Sequence, residues 1–366
     1  MNAPRPIVIA AGGTGGHFFP AEALAAELMR RGQSVVLLTD ARSGGLASPA
    51  FAGAEKHVVA GAGIAGRGLK RAVKAVLALA QGVGQARAIL RRVKPAAVVA
   101  FGGYPAVPPV LAARILGRNK PFVVLHEQNA VLGRANRALS RFATVLALNF
   151  AETRLVPGGV KTVCVGNPVR PAIAALAGGG YAPPDQTIEL LVVGGSLGAQ
   201  VFSTLVPQAL ALVAPTLRAR LRLTQQCRAE GLESARAALK QAGIEAVLAP
   251  FFADMPDLLA KAHLVLSRAG ASTVAEVEVV GRPAIFIPLP SAIDDHQRIN
   301  AEALARQGGA ISLNQIGLTP QRLAQEIEAL LNDPARLQTM AACSASLGRP
   351  EAAVRLADLV MEGITV

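Results

Sequence analysis

The sequence predicts an α/β protein made of two doubly wound domains, each with a parallel sheet. Apolar strand-like runs alternate with helical patterns along most of the 366 residues, which is typical of parallel α/β architecture. A unit of strand, glycine-rich turn and helix also occurs twice, at the start of the chain and again from residue 188. This repeat indicates two similar domains, and the chain is long enough to give each a substantial core.

The first repeat contains the turn Gly12-Gly13-Thr14-Gly15-Gly16-His17, between a strand pattern over 7–11 and a helical pattern over 17–31. Glycine permits close backbone approach, and the N-terminus of a helix attracts anions. The turn is therefore predicted to hold a phosphate, with a tight turn that binds nothing as the alternative. Further strands are predicted over 35–39, 97–101, 122–125 and 143–147, and helices over 68–93, 105–117 and 131–141.

The second repeat follows a segment rich in glycine and proline, Pro171 to Asp185, which is predicted to link the domains. It contains a strand over 188–193, the turn Gly194-Gly195-Ser196-Leu197-Gly198-Ala199 and a helix over 199–213. The remaining predicted strands are 220–224, 246–249, 263–266 and 284–287, and the helices are 232–241, 255–261, 272–280, 297–307, 319–331, 334–346 and 351–362.

These segments predict an N-terminal domain over 1–168 and a C-terminal domain over 169–347. The final segment, 348–366, is expected to pack back on the N-terminal domain as a helix. The two domains are expected to face each other across a cleft, with the glycine turns at the carboxyl ends of the strands.

Composition narrows the class of protein. With 52% hydrophobic and 17% charged residues, the chain is expected to be well packed rather than disordered. No apolar run approaches the ~20 residues of a membrane span, and no signal-peptide pattern is visible. The three cysteines, Cys164, Cys227 and Cys343, fit no disulfide framework or zinc spacing, which predicts a reducing cytosol.

Positive charge is concentrated in the N-terminal half. The formal net charge is +13, and residues 1–170 hold 22 Lys and Arg against 6 Asp and Glu. No acidic residue lies between Glu55 and Glu127, whereas basic residues accumulate over 67–94. Such a face attracts a polyanion, either nucleic acid or an anionic membrane. With 4% aromatic residues and no Trp, the chain has little for stacking on bases, so a nucleic-acid partner is not predicted.

Several polar motifs follow predicted strands. Gly102-Gly103-Tyr104 and His126-Glu127-Gln128-Asn129 do so in the first half, and Asn167-Pro168-Val169-Arg170 lies at the domain junction. The His126–Asn129 side chains are predicted either to line a site or to cap the next helix. Arg170 is either an ordinary surface residue or a ligand for diphosphate or carboxylate, which guanidinium groups suit.

In the second half, the stretch from Arg268 to Glu276 places small and hydroxyl residues at a helix start, which suits phosphate. Glu276 either caps this helix or grips the hydroxyls of a ribose. The motif Asp294-Asp295-His296-Gln297 precedes another helix and is predicted to cap it or to line the cleft. No D-x-D pair is present, so no metal is indicated. A GxGxxG match over 61–66 lacks the context of a dinucleotide site and is interpreted as a loop.

Taken in order, these motifs closely resemble the MurG family of bacterial N-acetylglucosaminyltransferases, from about residue 7 to residue 305. The matching runs are GGTGGH (12–17), GGY (102–104), HEQN (126–129), NPVR (167–170), GGSLGA (194–199), RAGASTVAE (268–276) and DDHQ (294–297). The resemblance implies a GT-B fold, meaning two Rossmann-like domains. It also implies inverting transfer of N-acetylglucosamine from UDP-N-acetylglucosamine to the muramyl sugar of lipid I, which forms lipid II for the cell wall. No cofactor is implied.

The resemblance also implies roles for individual residues. Glu276 would hold the ribose, the backbone near Phe252 would read uracil, and Ser196 with the turn Ala271, Ser272, Thr273 and Val274, continuing into Ala275, would lie near the diphosphate. Arg170, Asn129, Gln297 and His296 would help to seat the donor, and Thr14, Gly15 and Gly16 would reach it from the N-terminal domain. His17 is the predicted base that takes the acceptor proton, with Glu127 as a second candidate.

The chain departs from the family pattern in two places. Where the family often has His-Gln-Thr-Gly, this chain has Gln225-Gln226-Cys227-Arg228, which puts donor contacts near residue 226 in doubt. Ser203 replaces an asparagine that is often found downstream of the second glycine turn.

The basic face fits a lipid-linked acceptor. We therefore predict a peripheral protein at the cytoplasmic face of the inner membrane, bound through 67–94 with the help of apolar residues such as Ile64 and Leu69. An ordinary solvated helix face is the alternative. A UDP-N-acetylglucosamine 2-epimerase of the same architecture is the alternative function, but it needs no lipid acceptor, so the charge asymmetry argues against it.

Overall fold

The computed structural model describes residues 5–13, 15–41, 48–60, 69–117, 120–195 and 198–365, with the side chains of 69–72 left out. The chain divides into two compact units. Unit 1 comprises residues 1–170 together with 351–366, and unit 2 comprises residues 171–350. The segment that matches GxGxxG, 61–66, lies outside the described residues.

Unit 1 contains a parallel sheet of seven strands within its described residues, in the order β3-β2-β1-β4-β5-β6-β7. The strands are β1 (Ile7–Ala10), β2 (Val35–Thr39), β3 (Glu55–Val58), β4 (Ala97–Ala100), β5 (Phe122–Glu127), β6 (Val145–Leu148) and β7 (Thr162–Cys164). The inner strands are continuous apolar runs because helices cover both faces of the sheet.

The helices of unit 1 are α1 (Gly15–Arg30), α2 (Leu69–Val93), α3 (Val107–Arg114) and α4 (Arg134–Leu139), and α14 (Ala352–Thr365) completes the unit after the chain has passed through unit 2. Successive residues of β1 enter opposite cores, as expected from the period-2 geometry of a strand. Ile7 and Ile9 pack with Leu24 of α1 and Val360 of α14. Val8 faces the other core with residues of α2 and α3.

Unit 2 has a parallel sheet of six strands among its described residues, in the order β10-β9-β8-β11-β12-β13. The strands are β8 (Ile188–Val193), β9 (Leu221–Gln226), β10 (Glu245–Ala249), β11 (Leu264–Ser267), β12 (Ala284–Phe286) and β13 (Ala310–Ser312). Because all the strands are parallel, the turns after β8, β9 and β10 emerge at one edge of the sheet.

The helices of unit 2 are α5 (Pro171–Ala174), α6 (Phe202–Leu212), α7 (Pro215–Arg218), α8 (Ala229–Gln241), α9 (Met255–Lys261), α10 (Ala271–Val280), α11 (His296–Arg306), α12 (Pro320–Leu331) and α13 (Pro334–Leu347). Ile188, Leu190 and Val192 of β8 pack with Phe202 of α6 and Ile327 of α12 in one continuous core.

The sequence analysis did not predict three of the observed strands, and each omission has a physical reason. β3 is an edge strand whose side chains are mostly exposed, so it has no apolar run. β7 and β13 have three residues each, which is too short for a periodic pattern. The predicted linker also contains α5, and Ile173 of that helix is fully buried.

Candidate active site

The first glycine turn is held by the end of β2. The N–H of Gly13 donates to Oδ1 of the buried Asp40 at 3.3 Å. A Cβ atom on Gly12 would lie 2.8 Å from Thr39 Oγ1, so this position requires glycine. Helix α1 begins at Gly15, which places Gly15 and Gly16 in its first turn, where helix N–H groups lack intrahelical partners. Thr14 lies outside the described residues.

His17 is oriented by Gln128. The Nδ1 atom of His17 lies 3.2 Å from Gln128 Oε1, and Gln128 Nε2 donates to the carbonyl of Phe101 at 2.9 Å. Since that carbonyl can only accept, the amide of Gln128 must present its oxygen to the imidazole. Nδ1 of His17 therefore carries the proton, and Nε2 carries the ring's basic lone pair. A Cβ on Gly103 would lie 3.5 Å from this Nε2, so the Gly102-Gly103 turn lies beside the basic atom.

His126 is fully buried, and it is neutral. The pKa of His126 is lowered to about 4, chiefly by burial and also by the nearby His17, although a hydrogen bond to Gly166 opposes the shift. Its Nε2 donates to the carbonyl of Gly166 at 2.9 Å. His126 therefore fixes the turn that precedes Asn167 and Arg170, and it is not a proton acceptor near neutral pH.

Glu127 accepts four hydrogen bonds and is only 2% exposed. Oε1 accepts from the backbone and side-chain nitrogens of Asn129, both at 3.0 Å. Oε2 accepts from the N–H of Gly133 and from Asn136 Nδ2, both at 2.9 Å. Gly133 immediately precedes α4, so the carboxylate stabilises the start of that helix. This geometry favours the capping interpretation for Glu127 and leaves His17 as the better candidate for the base.

Arg170 is half-buried at the end of unit 1, and its guanidinium lies 5.1 Å from the ring centroid of Phe19 on α1. This cation–π contact holds the charge near the first turn of that helix. Asn129 is also half-buried, and its side-chain nitrogen donates to Oε1 of Glu127.

The second glycine turn is held in a similar way, by Gln226 at the end of β9. The N–H of Gly194 donates to Gln226 Oε1 at 3.0 Å. A Cβ on Gly194 would lie 2.3 Å from the nitrogen of Ala199, so the turn closes only around glycine. Ser196 lies outside the described residues. The two positions where the chain departs from the family pattern contact each other, since Ser203 Oγ lies 3.1 Å from Cys227 Sγ.

A buried arginine, Arg268, stabilises the turn from β11 to α10. Arg268 donates to the carbonyls of Ile287 and Pro288 at 2.9 and 3.1 Å, and it lies 4.9 Å from the ring centroid of Phe202. Burial lowers the pKa of Arg268 to about 10, which leaves it charged near neutral pH. Asn300 Nδ2 holds the carbonyl of Ala269 at 3.2 Å.

Helix α10 begins after Gly270, which supplies no side-chain cap to the first turn. Ser272 and Thr273 are half-buried, whereas Ala271, Val274 and Ala275 are buried and can meet a ligand only through their backbone. Glu276 is 9% exposed, one turn along the helix. A carboxylate there, one turn from the N-terminus of the helix, suits a ligand that carries both phosphate and vicinal hydroxyls.

Three further residues predicted to contact the donor lie in unit 2. Phe252, in the turn after β10, is half-buried. Gln297 and His296 open α11, where Gln297 Oε1 accepts from the N–H of Leu289 at 3.0 Å and His296 Nδ1 donates to the carbonyl of Ile293 at 2.7 Å. Among the described residues, no group of three or more His, Cys, Asp or Glu side chains is arranged to hold a metal ion.

Sequence reasoning assigned no role to Asp40, treated Gln128 only as one of four polar residues that line a site or cap a helix, and noted Gln226 only as part of a run that departs from the family pattern. Each holds a glycine turn or the predicted base, and each lies at the carboxyl end of a strand or just beyond it. A polar residue that directly follows a buried apolar strand is the signal that could have found them.

The comparisons with known proteins agree with this arrangement. The glycosyltransferase family 28 N-terminal domain matches residues 7–148, and the C-terminal domain of the same family matches residues 189–356. The two parallel sheets and the two matches define a two-domain α/β glycosyltransferase, and they confirm the predicted GT-B fold class. The chain belongs to glycosyltransferase family 28.

Comparison with individual proteins shows which members of the family this chain resembles. A Granulibacter bethesdensis protein named UDP-N-acetylglucosamine--N-acetylmuramyl-(pentapeptide) pyrophosphoryl-undecaprenol N-acetylglucosamine transferase is 58% identical over 99% of this chain and 95% of its own length. A crystal structure of Acinetobacter baumannii MurG has a TM-score of 0.77 at 32% identity and covers 98% of this chain and 100% of its own. The predicted resemblance to the MurG family is confirmed.

A UDP-GlcNAc 2-epimerase from Neisseria meningitidis has a TM-score of 0.68 at 11% identity, covering 97% of this chain and 100% of its own. At this identity the likeness shows a shared fold alone. The epimerase alternative is therefore less well supported than glycosyl transfer.

Proposed function

We propose that this protein transfers N-acetylglucosamine from UDP-N-acetylglucosamine to the muramyl sugar of lipid I, which yields lipid II and UDP. The observation that carries the proposal is the 58% identity, over nearly the full length, to a transferase of that name. The geometry of both units supports it, because each presents a glycine turn and polar side chains at the carboxyl edge of its sheet.

Unit 2 binds the donor in this proposal. The first turn of α10 and the turn of residues 194–199 receive the diphosphate, because backbone N–H groups and helix N-termini stabilise anions. Glu276 accepts hydrogen bonds from the ribose hydroxyls, and the backbone near Phe252 pairs with uracil. His296 and Gln297 complete the donor contacts of unit 2, and unit 1 contributes Thr14, Gly15, Gly16, Asn129 and Arg170.

His17 is the base. The acceptor hydroxyl attacks the anomeric carbon from the face opposite the diphosphate, so the C–O bond to the acceptor forms as the bond to UDP breaks, and the configuration inverts. The hydroxyl proton passes to Nε2 of His17, which carries the lone pair because Gln128 holds the proton on Nδ1. The departing diphosphate takes the bonding electrons and is stabilised by helix N-termini and by the charge of Arg170.

The direct test is to incubate the protein with labelled UDP-N-acetylglucosamine and a lipid I analogue in the presence of EDTA. We expect a labelled disaccharide-lipid that depends on both substrates, with stoichiometric release of UDP. Epimerised or hydrolysed sugar formed without the acceptor would contradict the proposal and favour the epimerase.

The lipid-linked acceptor also calls for a membrane-facing surface, and we place it on α2. Val73, Val76 and Leu77 are 50%, 61% and 63% exposed, at the spacing of one helix face. Lys74 is exposed beside them. Arg92, further along, pairs with Glu55. Ile64 and the side chain of Leu69 lie outside the described residues, and no helix among those described is long and apolar enough to cross a bilayer.

We therefore predict peripheral binding at the cytoplasmic face of the membrane. The protein is expected to sediment with vesicles that contain anionic lipid far more than with neutral vesicles at low salt, since each nearby Lys or Arg contributes about 1 kcal/mol. The pair Val76→Ser and Leu77→Ser should weaken this binding. Val247→Ser, at a residue 59% exposed in unit 2, is the matched control. Equal sedimentation with both vesicle types would remove the electrostatic part of the proposal.

A further inference from the structure

The side-chain amide of Gln226 connects two turns that follow different strands of unit 2. Its Oε1 accepts from the N–H of Gly194, after β8, at 3.0 Å. Its Nε2 donates to the carbonyl of Pro250, after β10, at 3.2 Å. Gln226 is the last residue of β9, which lies between β8 and β10 in the sheet. A side chain at the end of the middle strand can therefore reach both flanking turns.

The amide has one possible orientation. Gly194 offers a donor and Pro250 an acceptor, so the oxygen must face the first and the nitrogen the second. The residue is 9% exposed, and its bond to Gly194 is buried, whereas its bond to Pro250 is partly buried. The adjacent N–H of Cys227 also donates to the carbonyl of Ala249 at 2.9 Å, so the end of β9 is tied to β10 twice.

We propose that Gln226 is a positioning residue for the donor nucleotide, which sets the distance between the diphosphate turn at Gly194 and the uracil turn (250–252). The inference rests on the proposed function, because that function assigns the two turns to the two ends of UDP. A ligand that contacts only one of the two turns does not depend on the spacing between them. A ligand that spans both must find them already at the right spacing, and fixing that spacing in advance avoids an entropic cost of binding.

The proposal predicts that the affinities for different ligands change by different amounts, which a general loss of stability would not produce. Replacement of Gln226 by methionine, which has a similar size and no amide, should lower the affinity for UDP about tenfold, as expected from the loss of one or two hydrogen bonds. Affinity for uridine or for pyrophosphate alone should change by less than about twofold, because each contacts only one of the two turns that Gln226 joins. In turnover, the KM for UDP-N-acetylglucosamine should rise about tenfold, while kcat and the KM for the lipid I analogue stay within about twofold.

Gln225 provides the matched control. It precedes Gln226 in β9 and is fully buried, but its Nε2 donates to the carbonyl of Phe202 in α6 and its amide contacts neither turn. Gln225→Met therefore removes an equivalent buried amide from the same strand, and UDP affinity should remain within about twofold of the parent protein.

The experiment is a titration of the parent protein, Gln226→Met and Gln225→Met with uridine, pyrophosphate and UDP, together with steady-state kinetics. Equal losses for all three ligands in Gln226→Met, or an unchanged affinity for UDP, would overturn the inference. A UDP loss in Gln225→Met as large as that in Gln226→Met would overturn it as well. Absence of UDP binding to the parent protein would instead refute the proposed function.

Discussion

Replacement of His17 by alanine is expected to lower kcat by about 10²- to 10⁴-fold, the usual contribution of a positioned general base. Donor affinity should change little, because the proposed base removes the acceptor proton and most donor contacts lie in unit 2. Single-turnover rates with saturating lipid I analogue, together with the dissociation constant for UDP-N-acetylglucosamine, separate the two effects. Near-normal turnover with intact donor binding would show that His17 is not the base.

Two neighbouring side chains sharpen this experiment. Gln128→Leu removes the acceptor that holds the Nδ1 proton, so kcat should fall while donor affinity stays unchanged. Glu127→Gln places an NH₂ group where four donors converge, so the start of α4 should be destabilised. Its turnover should nevertheless exceed that of His17→Ala. The opposite ranking would make Glu127 the base.

The features that the sequence predicted best are those that depend on local backbone conformation. Glycine turns after apolar strands were visible at residues 12 and 194 because a phosphate-binding turn needs both the glycines and the helix start that follows. The inner strands were visible because strands covered on both faces are continuously apolar. These local features depend on neighbouring residues in the chain, which is why sequence alone could find them.

Local sequence patterns could not identify the side chains that hold the turns in place. The bond between Gln226 and Pro250 depends on β9 lying between β8 and β10, and Gln128 reaches His17 across 111 positions of the chain. The order of strands in a sheet comes from long-range packing, so no spacing in the sequence records these contacts. The sequence left Glu127 open as a possible base or a helix cap, and its four donors in the structure favour the cap.

Glu278 is another residue whose environment the sequence did not indicate. It lies on α10, two positions beyond Glu276, and is 8% exposed. Burial raises the pKa of its carboxyl group to about 8, and the charge of Arg349 only partly offsets this. The backbone of Gly348 packs against the carbonyl of Glu278, where a Cβ would lie 2.6 Å from that oxygen. The segment that follows α13 thus packs against α10 at Glu278.

This burial predicts a loss of stability as pH rises. In the unfolded chain the carboxyl group ionises at its ordinary pKa of 4.5, whereas in the folded protein it keeps its proton up to about pH 8. Between these values unfolding releases a proton, so the free energy of unfolding of unit 2 should fall from pH 5 to pH 8 and then level off. Glu278→Gln should match the parent protein near pH 5 and exceed it at pH 8.5 by on the order of 3 kcal/mol.

Hydrogen exchange of the α10 amides at pH 5 and 8.5, corrected for intrinsic rates, measures this difference within unit 2. Glu233→Gln, at a carboxylate 82% exposed on α8, is the control and should change protection by less than about 0.5 kcal/mol at either pH. Equal protection of α10 in Glu278→Gln and the parent protein at pH 8.5 would mean that the carboxylate ionises in place at little cost.

Because Glu276 lies on the same helix, the substitution also shows whether donor affinity depends on the rigidity of α10. If it does, affinity for UDP in the parent protein should weaken over the same pH range, and Glu278→Gln should remove that dependence.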